Sequence, residues 1–134
     1  MNEKRFTPEE ANRMLPLIRL ELEALQKTKK EFEEKLFEHR QLKTRQLAEH
    51  VRVDEERFFI LESEMEFLQI QARTQIQSFT LKGIQLKDID LGLVDFPAVI
   101  DGEEVLLCWR QGEERVAHYH GYEDGYAGRR QIEE

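Results

Sequence analysis

Between Pro16 and Gly83 the chain contains neither a proline nor a glycine, whereas six of its seven glycines follow Gly83. A stretch of that length without breakers, rich in Glu, Lys, Leu, Gln and Arg, reads as helix. Its start is marked by a Thr7-x-x-Glu10 capping box with Pro8 at the first helical position. Apolar residues then step by four and three through Ala11, Leu15, Ile18, Leu22, Leu25, Phe32 and Leu36. The seam is interrupted at Lys29 and fades at His39 and Lys43. Pro16 lies inside this pattern and predicts a kink in the first turns.

A second seam runs Phe58, Leu61, Met65, Leu68, Ala72, Gln75, Phe79. Asp54 is a candidate cap for it, so the turn belongs between about 48 and 54. Two long helices joined by a short turn fold back on one another. The expectation is a long antiparallel helical hairpin, coiled-coil-like, over residues 7–82. A lone hairpin leaves Phe37, Phe59, Phe67, Ile70 and Ile76 poorly covered. A second copy of the chain would bury them, so the sequence predicts a homodimer through the hairpin.

After Gly83 the apolar period shortens to two. Residues 84–90, 93–100 and 105–110 read as strands, and Asp101-Gly102 is a two-residue hairpin signal. Gly112-Glu113 suits a further tight turn into "RVAHYH" at 115–120. Pro97 places the strand 93–100 at an edge there, or bulges it. The fold class expected is therefore α+β: the hairpin, a small antiparallel β-meander of three to four strands at 83–120, and a Gly-rich tail at 121–134. At 134 residues this is a single domain.

Charge and composition exclude several functions. Residues 1–82 hold 15 Lys/Arg against 16 Asp/Glu, and residues 83–134 hold 5 against 12. An acidic C-terminal part disfavours the phosphate backbone, so no nucleic acid is expected as partner. No uncharged apolar run is long enough for a membrane span, so no membrane is expected either. The first ten residues lack the apolar segment of a secretory signal, and the one cysteine suits a reducing compartment. A cytoplasmic location follows as the expectation.

The densest chemistry lies in "VLLCWRQGEERVAHYH" at 105–120. If Asp101-Gly102 forms a turn, Asp95 faces Cys108 and Val94 faces Trp109. If Gly112-Glu113 forms the next, Leu107 faces His118 and Val105 faces His120. One face then carries Val94, Phe96, Ala98, Val105, Leu107, Trp109 and Val116, with His118 and His120 at its far end. The other carries Asp95, Cys108, Arg110, Ala117 and Tyr119, with Asp95 and Arg110 in reach of an ion pair. A one-residue slip would exchange the faces.

Cys108, His118 and His120 are candidate zinc ligands by residue type. In this register, however, Cys108 points away from both histidines, and no CxxC or HExxH spacing supports a site. A catalytic thiol at Cys108 would need a nearby base and a lowered pKa. The tail "HGYEDGYAGRR" at 120–130 reads in two ways. Its glycine amides, with Arg129 and Arg130, can cradle an anion. Alternatively it wraps the sheet edge, with tyrosines packed and arginines paired to carboxylates.

Four motifs in order carry a resemblance: "FTPEEAN…LP" at 6–16, "GLVDFPA" at 92–98, "LCWRQGE" at 107–113 and "YHGYEDGYAGRR" at 119–130. Together they resemble the bacterial domain-of-unknown-function family 2203. The resemblance implies a helical hairpin followed by a small β unit, and no established activity. It implies that Asp95, Cys108, Trp109, Arg110, Gly112, Glu113, His120, Gly125, Gly128 and Arg129 belong to the family pattern. His118 falls where the family usually has an aromatic residue.

Two functions are compatible with these residues. The first is a non-enzymatic, dimeric helical-hairpin scaffold that docks a protein partner and needs no cofactor. The second is a small-molecule, anion or metal-binding protein. Its polar site would lie between sheet and tail, at Asp95, Arg110, Glu113, His120 and Arg129.

Overall fold

A computed structural model describes residues 4–49 and 55–133. In chain order the elements are α1 (Pro8–Glu49), α2 (Glu55–Leu81), β1 (Gln85–Asp88), β2 (Leu93–Ile100), β3 (Glu103–Arg110), β4 (His118–His120) and β5 (Arg130–Gln131). One turn of 3-10 helix, Tyr126–Gly128, precedes β5. The turn expected within 48–54 falls largely outside the described residues, α1 being helical to Glu49. No helix among the described residues is long and apolar enough to cross a membrane.

Local chemistry sets the helix ends. Thr7 Oγ1 accepts from the Glu10 amide and Glu10 Oε1 accepts from the Thr7 amide, each at 3.1 Å, which is the expected capping box. Gly83, at φ 77°, stops α2. The Gly83 amide donates to the Thr80 carbonyl and the Ile84 amide to that of Phe79, a Schellman closure. Pro16 sits within α1, and the helix continues through it.

The chain divides into two compact units. One is the helical stretch Ala24–Gln75, where α1 and α2 pack antiparallel around buried Leu25, Leu61 and Leu68. Lys35 pairs with Glu64 at 2.5 Å and His39 Nε2 with Glu62 at 3.1 Å across the two helices. Outside this seam Phe37, Phe59, Phe67 and Ile70 remain 51–71% exposed.

The other unit joins the chain up to Glu23 with that from Ile76 onward. Its sheet is a five-stranded antiparallel meander in the order β1-β2-β3-β4-β5, the last strand supplied by the tail. Ala11, Leu15, Ile18 and Leu22 of α1 and Phe79 of α2 are buried together with Val94, Phe96, Leu107, Trp109 and Val116. Asp101 (φ 52°) and Gly102 (φ 79°) form the β2–β3 turn, both in the left-handed region that a two-residue hairpin needs. That turn sets Asp95 against Cys108 and Val94 against Trp109. Pro97 lies beyond the reach of β1, which pairs only with 93–95. At that edge its carbonyl accepts from the Phe6 amide at 2.7 Å.

The β3–β4 register departs from expectation. The observed pairs are Leu106–His120, Leu107–Tyr119 and Cys108–His118, one residue off the spacing that an immediate turn at Gly112-Glu113 would impose. The cause is α1. After Gly112 (φ 105°) the chain leaves the sheet and is caught by the helix. Trp109 Nε1 and Arg19 Nη2 both donate to the Glu113 carbonyl, at 3.0 and 3.3 Å, and Arg19 also reaches the Glu114 carbonyl at 2.7 Å. Asn12 brackets Val116, accepting from its amide at 2.7 Å and donating to its carbonyl at 3.2 Å. The chain re-enters the sheet only at His118. His118 and His120 consequently share a face with Cys108 and Asp95, not with Leu107 and Trp109.

Candidate metal centre

The slip gathers three donors on three neighbouring strands. Asp95 of β2 is directly opposite Cys108 of β3, and His120 of β4 lies diagonal to Cys108 on the same face. One carboxylate oxygen, the thiol sulfur and one ring nitrogen all lie within 4.8 Å of one another. The three residues are 2%, 1% and 3% exposed. Sheet faces of this kind rarely bury such groups without giving each a partner.

The partners here constrain the protons. His120 Nδ1 lies 2.8 Å from the Gly121 carbonyl, which can only accept, so Nδ1 carries a hydrogen. Nε2 then faces Asp95 Oδ2 at 3.1 Å. An imidazole lone pair and a carboxylate oxygen do not face each other unless a cation lies between them, either a proton or a metal ion. A ring whose far N–H is pinned to a backbone carbonyl is also the usual arrangement of a metal-binding histidine.

Burial pushes the Asp95 carboxyl above its ordinary range, against the opposing pull of His120 and of the Cys108 thiol hydrogen bond. Burial, followed by the charge of Asp95, pushes the Cys108 thiol up to about 12, with Arg129 drawing it the other way. Cys108 is therefore a poor nucleophile. A divalent ion would reverse this state, because a coordinated thiol is deprotonated outright.

The tail covers this face. Arg129 grips Glu113 with two parallel bonds, 2.9 Å from Nη1 to Oε1 and 2.7 Å from Nη2 to Oε2. Burial raises the Glu113 carboxyl, but the bonds from Arg129 and from the Arg110 amide outweigh it and hold the group below its ordinary value. Tyr126 contacts two guanidinium groups: Arg129 sits 4.4 Å from its ring centre and Arg110 5.7 Å, with Arg110 Nη1 3.3 Å from the hydroxyl. Arg130 packs over Tyr119 at 5.3 Å. The tail thus wraps the sheet, and its arginines are engaged by carboxylate and aromatic groups. A pocket of about 190 Å³ remains beneath it, lined by the three donors together with Lys87, Tyr122, Gly125 and Tyr126 among others.

The residues singled out from the sequence accordingly separate into two groups. Asp95 and His120 join Cys108 in the buried trio, whereas Arg110, Glu113 and Arg129 form the clamp on the tail. Arg110 turns to Tyr126 instead of Asp95. His118 lies across from Cys108, but its Nδ1 is directed at Glu113 Oε2, 3.7 Å away. Although residue type alone suggests His118, Asp95 stands with Cys108 and His120 in the group of donor atoms. Its pairing with Cys108 was already readable from the Asp101-Gly102 turn, and only the shifted β4 concealed the triad.

Neither the curated proteins nor the solved structures compared with this chain yielded a match. The family model of uncharacterized conserved proteins, DUF2203, matches residues 4–132. That span includes both helices, the whole sheet and the tail, and so every residue of the trio and the clamp; the chain belongs to the DUF2203 family.

Proposed function

We propose that this protein binds a divalent transition-metal ion at Asp95, Cys108 and His120. The observation that carries the reading is the convergence of three buried donor atoms within 4.8 Å, with the His120 ring held by the Gly121 carbonyl. Thiolate, imidazole and carboxylate together suit zinc and its neighbours better than magnesium or calcium, which take oxygen ligands. Binding expels the thiol proton and the proton shared by Asp95 and His120, so affinity rises with pH. A reducing compartment such as the cytoplasm would keep Cys108 available as a ligand.

The test is elemental analysis with native mass spectrometry on protein prepared without affinity metal or chelator, followed by titration with Zn²⁺. One ion per chain, lost in Cys108→Ser and His120→Ala, supports the reading. Folded wild-type protein that takes up no ion at micromolar Zn²⁺ sinks it.

A second reading concerns the hairpin. The exposed Phe37, Phe59, Phe67 and Ile70 of the Ala24–Gln75 unit favour a homodimer through the helices, which would leave the sheet and tail as a docking platform for a protein partner. The two readings are compatible, since they concern different units of the chain.

A further inference from the structure

This inference rests on the metal reading above. Asp95, Cys108 and His120 supply three ligands, one fewer than a tetrahedral ion takes, and three protein ligands with an open position distinguish working sites from closed structural ones. The space available to a fourth ligand is the pocket under the tail. At about 190 Å³ it has room for roughly six water-sized groups, more than one metal-bound water needs and less than a cofactor needs.

Charge narrows the class of occupant. A divalent ion with the Asp95 carboxylate, the Cys108 thiolate and a neutral His120 sums to zero. The charge of Arg129 is matched by Glu113. Lys87 and Asp95 are the charged side chains that line the pocket, and Lys87, exposed at its rim, adds one positive charge on the solvent side. Lys87 sits where the β1–β2 register shifts, between the paired residues Leu86 and Asp88, and its charge acts on Asp95. Tyr122 and Tyr126 add aromatic walls. Apolar area from Leu93 and Leu106 makes the pocket suited to an anion with a small organic part.

We propose that the fourth coordination position takes a small monoanion of the carboxylate class, bound between the metal ion and the ammonium group of Lys87. In its absence a water molecule holds the position.

The experiment uses the full chain loaded with Co²⁺ and titrated with sodium acetate. Near-ultraviolet thiolate-to-cobalt absorption reports that the metal is bound at Cys108, and the visible cobalt bands report the fourth ligand. The expected result is a saturable change in the visible bands on adding acetate. Lys87→Gln should weaken acetate binding about three- to fivefold, the loss of one solvent-screened charge, and Lys87→Arg should retain most of it. Visible bands indifferent to acetate, with the thiolate band present, would overturn the open position and leave the metal reading intact. Equal acetate affinity in wild type and Lys87→Gln would overturn the role of Lys87. No thiolate band on adding Co²⁺ would remove the metal reading and this inference together.

Discussion

Asn12 and Val116, 104 positions apart in the chain, are joined by two hydrogen bonds, the Val116 amide to Asn12 Oδ1 at 2.7 Å and Asn12 Nδ2 to the Val116 carbonyl at 3.2 Å. This one side chain mimics a strand, and it holds the segment that decides where β4 re-enters the sheet. The bracket lies on the segment that leads into β4 and so to His120.

Asn12→Ala should leave the buried Val116 backbone groups without partners and cost about 1–3 kcal/mol of stability. It should also lower Zn²⁺ affinity. Denaturant unfolding and metal titration check the two effects separately. Unchanged metal affinity in a destabilised Asn12→Ala protein would show that the register survives without the bracket.

Glu113 is held below its ordinary value of 4.5. A carboxylate with a depressed folded-state pKa contributes stability that is complete above the unfolded value and is lost as pH falls through the folded one. Glu113→Gln should thus cost about 1 kcal/mol near neutrality, a modest figure because both partners of the Arg129 bridge are partly solvated. The difference from wild type should shrink below about pH 4.5. Amide exchange across residues 118–131 should quicken in the variant. A melting-temperature difference independent of pH from 7 to 3 would contradict the assignment.

Cys108 is 1% exposed, and its thiol is pushed up to about 12. At pH 8 only about one thiol in ten thousand is ionised, so the metal-free folded protein should resist a thiol-specific disulfide reagent. Full reaction should appear on unfolding in guanidinium. Rapid stoichiometric reaction of the native protein would mean that the tail opens far more readily than its clamp implies.

Phe67 is 66% exposed on α2. Sedimentation of the wild-type protein should give a dimer, and Phe67→Glu should shift it to monomer with the metal stoichiometry unchanged. A wild-type protein that sediments as a monomer at micromolar concentration would remove the dimer.

The elements readable from the sequence are those whose causes lie within a few residues. The capping box at Thr7 and Glu10, the stop at Gly83 and the Asp101-Gly102 turn each involve neighbours in the chain, so residue type and spacing suffice to place them. The Asp95–Cys108 pairing follows from that turn alone. The β4 register does not, because Gly112-Glu113 does not return the chain directly; Arg19 and Asn12 draw the loop onto α1 first. Strand β5, two residues long, has no periodicity to read and exists because the tail is clamped at Arg129. A side-chain period of two turns a one-residue offset into a change of face. By itself the sequence therefore determined the hairpin, the meander and the Asp95–Cys108 pairing, whereas the shifted β4 register, set beyond the reach of local turn chemistry, is what brings His120 to them.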